Sequence, residues 1–303
     1  GYSTTEERRC KLGTLATRME MLYTKGKIST IDPKVMTVRD VQQFLQSMRD
    51  DRLATSTQKK YLQLLDQYLQ FFDNYSAMKV RNKVRLTVPL KDVECLSKRE
   101  AVEIMNYIDR LHGWNGSIVR GMTYLAYQTM ARPSEIRLAE VRDLDLVEKR
   151  FFVRNPKGNG VFADPEWVPL LFPNSVDVLQ KYLEERERYL KEHGVTSKYL
   201  FPRCYRDDVG PYTLKSMNSK IRKVSNAVGI NFTMKTWRST VATWFVEYNK
   251  ELLDEVSDDL RHKTVKTTNE FYARIRKTLS GKVLTTHSPA VDVSHRRLSS
   301  NRH

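Results

Sequence analysis

Three short segments hold side chains whose types and spacing suit the binding of an anion. The first is Met130-Ala-Arg-Pro-Ser-Glu-Ile136. An apolar helical run ends at Arg132, and Pro133 falls on the first position of the next helix, where its missing N–H costs nothing. Arg132 therefore sits in a bend beside a helix N-terminus and its unpaired N–H groups, a favourable place for phosphate. Glu135, three residues on, is either a cap of that helix or a partner that orients the guanidinium. The second segment is Lys235-Thr-Trp-Arg238. Lys235 and Arg238 are three apart and share a helix face, while Trp237, Val241, Trp244 and Phe245 fill another. The spacing predicts two cations on one exposed patch above an aromatic base. The third segment is Leu260-Arg-His-Lys-Thr-Val-Lys-Thr-Thr-Asn-Glu-Phe-Tyr-Ala-Arg274, with His262, Thr267, Thr268 and Tyr272 close together. Taken singly, each segment also has an ordinary reading: a capped helix start, a solvated helix face, a tyrosine in a core.

Together they carry a resemblance. Leu-x-His-x4-Thr-Thr followed closely by Tyr resembles the C-terminal signature of the tyrosine recombinases, the phage-integrase and Xer-type family. Ala131-Arg132-Pro133-Ser134-Glu135-Ile136 is similar to that family's first-arginine motif. Lys157 falls on a hairpin turn where the family places a catalytic lysine, and Lys235-x-x-Arg238 stands where His-x-x-Arg is usual. The resemblance spans roughly residues 5–280. This chain departs from the pattern at Lys235, at Arg261 in place of glycine, and at Tyr272, which is ten residues after His262 where nine is typical. Phe271 holds the commoner nucleophile position. Lysine at 235 and the longer final spacing resemble integrases of the archaeal fusellovirus type, which implies an archaeal virus or plasmid as source.

What the resemblance implies is a site-specific recombinase that cuts and rejoins DNA through a covalent 3′-phosphotyrosine. Tyr272 would attack phosphorus. Arg132 and Arg238 would hold the non-bridging oxygens and the charge that builds up in the transition state. Lys157 would protonate the leaving 5′-oxygen. His262 would bond a non-bridging oxygen or assist the tyrosine, and Lys235 would supply charge and a donor. Because the covalent link keeps the bond energy, resealing needs neither ATP nor metal, and no cofactor is expected. Two other readings stay open: strand relaxation of the type IB topoisomerase kind, and a non-catalytic DNA-binding regulator on a decayed recombinase fold.

The elements that must position these residues read as mainly α with a small β-sheet, an α+β chain in two domains. Residues 1–73 form a helical domain that resembles the family's core-binding domain. Its first helix, over 6–24, turns Leu12, Leu15, Met19 and Leu22 inward. Thr37 caps a second helix that buries Val41, Phe44 and Leu45. A third runs from about Ser56 to Phe72 with Tyr61, Leu64, Leu65, Tyr68, Leu69 and Phe72 as its stripe, and Lys59 and Lys60 outside it. Residues 74–96 read as a basic linker without helical period, carrying Lys79, Arg81, Lys83 and Arg85 as candidate DNA contacts. The catalytic domain covers 97–284, opened by Ser97 as a helix cap. Its one clear β signal is a hairpin, Arg150–Arg154 and Val161–Leu171 around a Pro/Gly/Asn turn. Helices follow at about 174–193, 213–228, 236–249, 251–261 and around 270. Residues 285–303 read as a polar, flexible tail. The resemblance implies a C-shaped clamp on DNA.

Composition sets the partner. Lys and Arg outnumber Asp and Glu 52 to 36, a formal +16 over 303 residues. Such a surplus points to a polyanion, of which nucleic acid is the commonest, and the resemblance implies double-stranded DNA, with affinity that falls steeply with salt. A homo-oligomer, a tetramer on two duplexes, follows from the resemblance. Three scattered cysteines argue against a disulfide framework, and neither they nor the six histidines recur at metal-ligand spacing, so no metal is expected. No window approaches 18 uninterrupted apolar residues and the first residues do not read as a secretory signal. The expected setting is cytoplasmic, on host DNA, with no membrane contact.

Overall fold

The computed structural model describes residues 2–88, 94–156, 164–172, 176–205 and 208–248. Lys157, His262 and Tyr272, the helices expected beyond residue 250 and the polar tail lie outside the described residues. The chain divides into two compact units, Gly1–Leu90 and Lys91–His303. The elements are mainly helices, as the sequence predicts, with two small antiparallel sheets where it predicts one.

The first unit holds α1 (Tyr2–Thr24), α2 (Val38–Asp50), α3 (Thr55–Gln70) and α4 (Ser76–Lys83). Thr37 caps α2 through a reciprocal box in which its hydroxyl accepts from the Asp40 N–H, 3.2 Å, and the Asp40 carboxylate accepts from the Thr37 N–H, 2.9 Å. That carboxylate also takes the Ser29 N–H at 2.6 Å. Burial would raise the Asp40 pKa, but the hydrogen bonds from Thr37 and Ser29 outweigh it and hold it below its ordinary value. Val41, Phe44, Leu45, Leu15, Met19 and Leu22 are buried together. Two apolar positions turn out differently. Leu12 and Tyr68 are 38% and 39% exposed, and Leu62 takes the inward place on α3.

The larger correction concerns residues 74–96. The stretch read as linker contains α4, whose Ala77 and Val80 are buried against the first core. Asn74 donates to the carbonyls of Pro33 and Met36, 2.8 Å each, and fixes the start of that helix. α4 thus belongs to the first unit. Eight residues with two inward positions are too short to display a period.

The second unit is built on α6 (Gly113–Thr129), buried along most of its length. α5 (Lys98–Asp109) begins with the expected Ser97 cap, reciprocated by Glu100. α8 (Val176–Glu192) crosses close to α6 at Gly121, where any Cβ would stand 2.8 Å from the Tyr182 ring and 2.9 Å from Phe201. α7 (Pro133–Leu138) follows α6, then a single 3-10 turn (Val141–Asp143) and the sheet β1 (Leu144–Asp145), β2 (Arg150–Val153), β3 (Glu166–Pro169) in that spatial order, all antiparallel. The hairpin is where the sequence places it, with Phe151 opposite Val168 and both turned inward. β4 (Pro202–Tyr205) and β5 (Asp208–Pro211) make a second hairpin that sequence reading did not anticipate. α9 (Leu214–Val228) and α10 (Met234–Tyr248) complete the unit, α10 packing along α6.

Candidate active site

The site begins where α6 ends. Met130 adopts a left-handed backbone, φ 50°, and closes α6 with its N–H on the Ala126 carbonyl. That conformation is unfavourable for a residue with a Cβ, so it holds only where surrounding contacts enforce it. Met130 and Ala131 are buried, and the Ala131 N–H is taken by Thr129 Oγ1 at 3.2 Å. The chain then turns into α7 with Arg132 as its cap residue and Pro133 at the first position, as the sequence predicts.

Glu135 serves both of the roles left open for it. Its Oε2 accepts from the Arg132 backbone N–H at 2.7 Å, capping α7, and its Oε1 accepts from Arg132 Nη1 at 2.8 Å. The carboxylate is buried, its side chain 1% exposed, while the Arg132 side chain keeps 23% exposure. The guanidinium is thereby aimed from a fixed base toward the surface.

Arg238 reaches the same turn from α10. Its Nη1 donates to the Met130 carbonyl at 2.6 Å, two residues before Arg132. The left-handed turn presents that oxygen. The two arginines, 106 positions apart in sequence, are brought to one bend of the chain. One expectation is corrected: Arg238 is 8% exposed and does not sit on an open patch, whereas Lys235, one turn earlier, is exposed. The aromatic base is as expected. Trp237 and Val241 are wholly buried, Tyr127 meets Trp237 edge-on with centroids 5.8 Å apart, and Trp244 and Phe245 pack against the same core. Burial pushes the Tyr127 phenol up to about 12. Tyr127 is buried in the core and belongs to the base of the site.

The hairpin is tied to the same region. Gln128, buried in α6, receives the Phe172 N–H and donates to the Phe172 carbonyl, 2.7 Å each, while its own carbonyl takes the Leu171 N–H. At the far end of β2, Arg154 pairs with Asp143, a fully buried carboxylate that also caps the 3-10 turn through the Glu140 N–H. The Asp143 partnership raises the Arg154 pKa further, so this cation keeps its proton. Gln128, Asp143 and Met130 are positioning residues that sequence reading missed. Their partners lie too far along the chain, or in backbone geometry, to leave a local signal.

The six basic residues proposed to touch DNA from the first unit are all exposed. Arg81 differs from the rest in pairing with the buried Asp66 at 2.5 Å, which ties α4 to α3. No helix among the described residues is long and apolar enough to cross a membrane.

Two arginines are thus held at one helix start, with the hairpin anchored alongside. The chain belongs to the phage integrase family, whose model matches residues 94–278, and it is a tyrosine recombinase. Tyrosine recombinase XerA of Pyrococcus horikoshii is 25% identical over 241 residues, covering 79% of this chain and 76% of that protein. The fold is shared with a lambda integrase dimer bound to a core site, with a TM-score of 0.65 at 14% identity, over 96% of this chain and 93% of that one. A lambda integrase tetramer bound to a Holliday junction gives 0.63 at 14% identity, over 89% and 72%.

Proposed function

We propose that the protein is a site-specific recombinase that cleaves and reseals double-stranded DNA through a 3′-phosphotyrosine on Tyr272. The carrying observation is the convergence of Arg132 and Arg238 on the Met130 turn, with Glu135 behind. Arg132 and Arg238 would bind the non-bridging oxygens of the scissile phosphate. Their planar forks fit two oxygens at once, and their positions are set before substrate arrives, so reorganisation is small when charge builds on phosphorus. Lys157 would protonate the leaving 5′-oxygen, and Lys235 and His262 would add donors to the same phosphate. The first unit would grip the duplex through Lys59, Lys60, Lys79, Lys83 and Arg85, with Arg81 mainly structural. Two duplexes call for a tetramer, supported by the assembly seen for lambda integrase on a Holliday junction. The lysine at 235 and the long His262–Tyr272 spacing support an origin in an archaeal virus or plasmid, acting on host DNA in the cytoplasm.

The test is a library of nicked duplexes randomised around the nick, incubated with wild type and Tyr272→Phe and recovered under denaturing conditions. A covalent adduct in wild type that is absent in the variant supports the reading. Equal adduct in both moves the nucleophile elsewhere. Binding without adduct in either overturns the enzyme reading in favour of a DNA-binding regulator.

A further inference from the structure

The three-stranded sheet buries one face. Along β2, Phe151 and Val153 are in the core while Arg150 and Phe152 are only partly covered. Side chains alternate along a strand, so Arg150, Phe152 and Arg154 share the outer side. Trp167 stands across from Phe152 on that side and is 43% exposed. These four side chains form a row. The Arg150 guanidinium lies 4.4 Å from the Trp167 ring centroid, Trp167 and Phe152 are 5.1 Å apart with their planes at 48°, and Arg154 is 5.4 Å from the Phe152 centroid. Each terminal guanidinium is also held by a carboxylate, Arg150 by Asp145 at 3.1 Å and Arg154 by Asp143.

The open face of an antiparallel sheet is ordinarily polar. Here its centre is two aromatic rings and its ends are two cations with fixed positions. A duplex hides the faces of its bases and would engage the cations alone. An unpaired strand offers both a base face for the ring and phosphates for the guanidinia. We infer that this face binds a short unpaired DNA segment, with Trp167 as the stacking platform and Arg150 and Arg154 as phosphate contacts. The inference rests on the strand-cutting reading above, which would make a free strand end available to this face. Charge complementarity favours this occupant over a second copy of a chain whose formal charge is +16.

The test compares wild type, Trp167→Ala and Trp167→Tyr in the full chain. Fluorescence anisotropy would follow binding to an oligothymidylate of about ten nucleotides and to a duplex of equal length. Adduct formation on the nicked substrate would be measured alongside. Trp167→Ala is expected to lose roughly 5- to 100-fold in affinity for the oligothymidylate, the range of one stacking contact, with Trp167→Tyr close to wild type. Duplex affinity and adduct formation should hold. Unchanged oligothymidylate binding in Trp167→Ala overturns the inference, as does an equal fall for both DNAs. Loss of adduct with oligothymidylate binding intact overturns it too and makes Trp167 a support of the hairpin. Failure of the recombinase reading would show separately, as no adduct in wild type.

Discussion

Glu135→Gln separates the two tasks of the carboxylate at the arginine turn. Among the hydrogen bonds the native side chain accepts are one from the Arg132 N–H at 2.7 Å and one from its guanidinium at 2.8 Å. Glutamine keeps one acceptor. If its oxygen stays on the backbone N–H, its NH2 faces the guanidinium, donor against donor, and Arg132 is pushed off its seat. A hydrogen bond with a charged partner contributes about 1.5–3 kcal/mol, and the 23% exposure of Arg132 lets water recover part of it. A net loss of about 2 kcal/mol follows, which lowers the melting temperature of a unit this size by about 4–8 °C. The effect on chemistry is larger in proportion, because a guanidinium displaced by about 1 Å costs on the order of 100-fold in rate. Thermal unfolding and the rate of adduct formation on a nicked substrate, measured well below the transition, read the two effects independently. A Glu135→Gln protein that melts with wild type and forms adduct at the wild-type rate would refute the claim that this carboxylate aims Arg132.

Arg238→Lys keeps the charge but not the fork that holds the Met130 carbonyl and, in the proposed reading, would also hold a phosphate. Adduct formation should fall roughly 100-fold while duplex affinity in a gel shift changes little. Asp143→Asn leaves an acceptor for the Glu140 N–H but removes the charge that holds Arg154, which is 31% exposed. A loss of about 1–2 kcal/mol is expected in thermal unfolding, and an unchanged melt would mean that the pair is only a surface contact. Asp40 has a folded pKa below its ordinary value, so it adds stability above the ordinary carboxylate range and loses it as pH falls through the lowered folded value. Acid titration of stability should therefore be shallower for Asp40→Asn, and parallel curves would contradict the cap assignment.

Much of the fold was legible because its signals are local. The caps at Thr37 and Ser97 are reciprocal boxes spanning three residues, and Glu135 reaches Arg132 within one turn. What failed was set by neighbours. Whether Leu62 or Tyr68 faces the core of α3 depends on how α1 and α4 lie against it, and a stripe of apolar residues on one helix cannot state that. The strands β4 and β5 are four residues each, both carry a proline, and neither alternates. At the site, sequence named Arg132 and Arg238, and the resemblance implied that they meet, but not the contact that brings them together. That contact is made by a carbonyl turned by one left-handed residue, 108 positions from the guanidinium it receives.

That turn also settles a problem of charge. Two guanidinia attached to one short bend repel, the more so where both are partly enclosed. The buried Glu135 carboxylate offsets about one of the two positive charges, and the Met130 carbonyl points its dipole at the other. Within these described contacts the remainder is close to one positive charge, which matches the single negative charge of a phosphodiester. Attack by a phenolate would add a second negative charge, for which this pair has no surplus. Further cations then become useful only in the transition state, the place where catalytic power is gained. Lys235, exposed and one turn from Arg238, is the residue proposed above to supply one. Glu135→Gln raises the local charge, so it should leave duplex affinity intact or tighter, while the cleavage rate falls because the displaced Arg132 fork no longer meets the transition state and added charge cannot replace its aim. A variant that weakened both equally would show that Glu135 acts on the fold of the turn and not on the balance of charge within it.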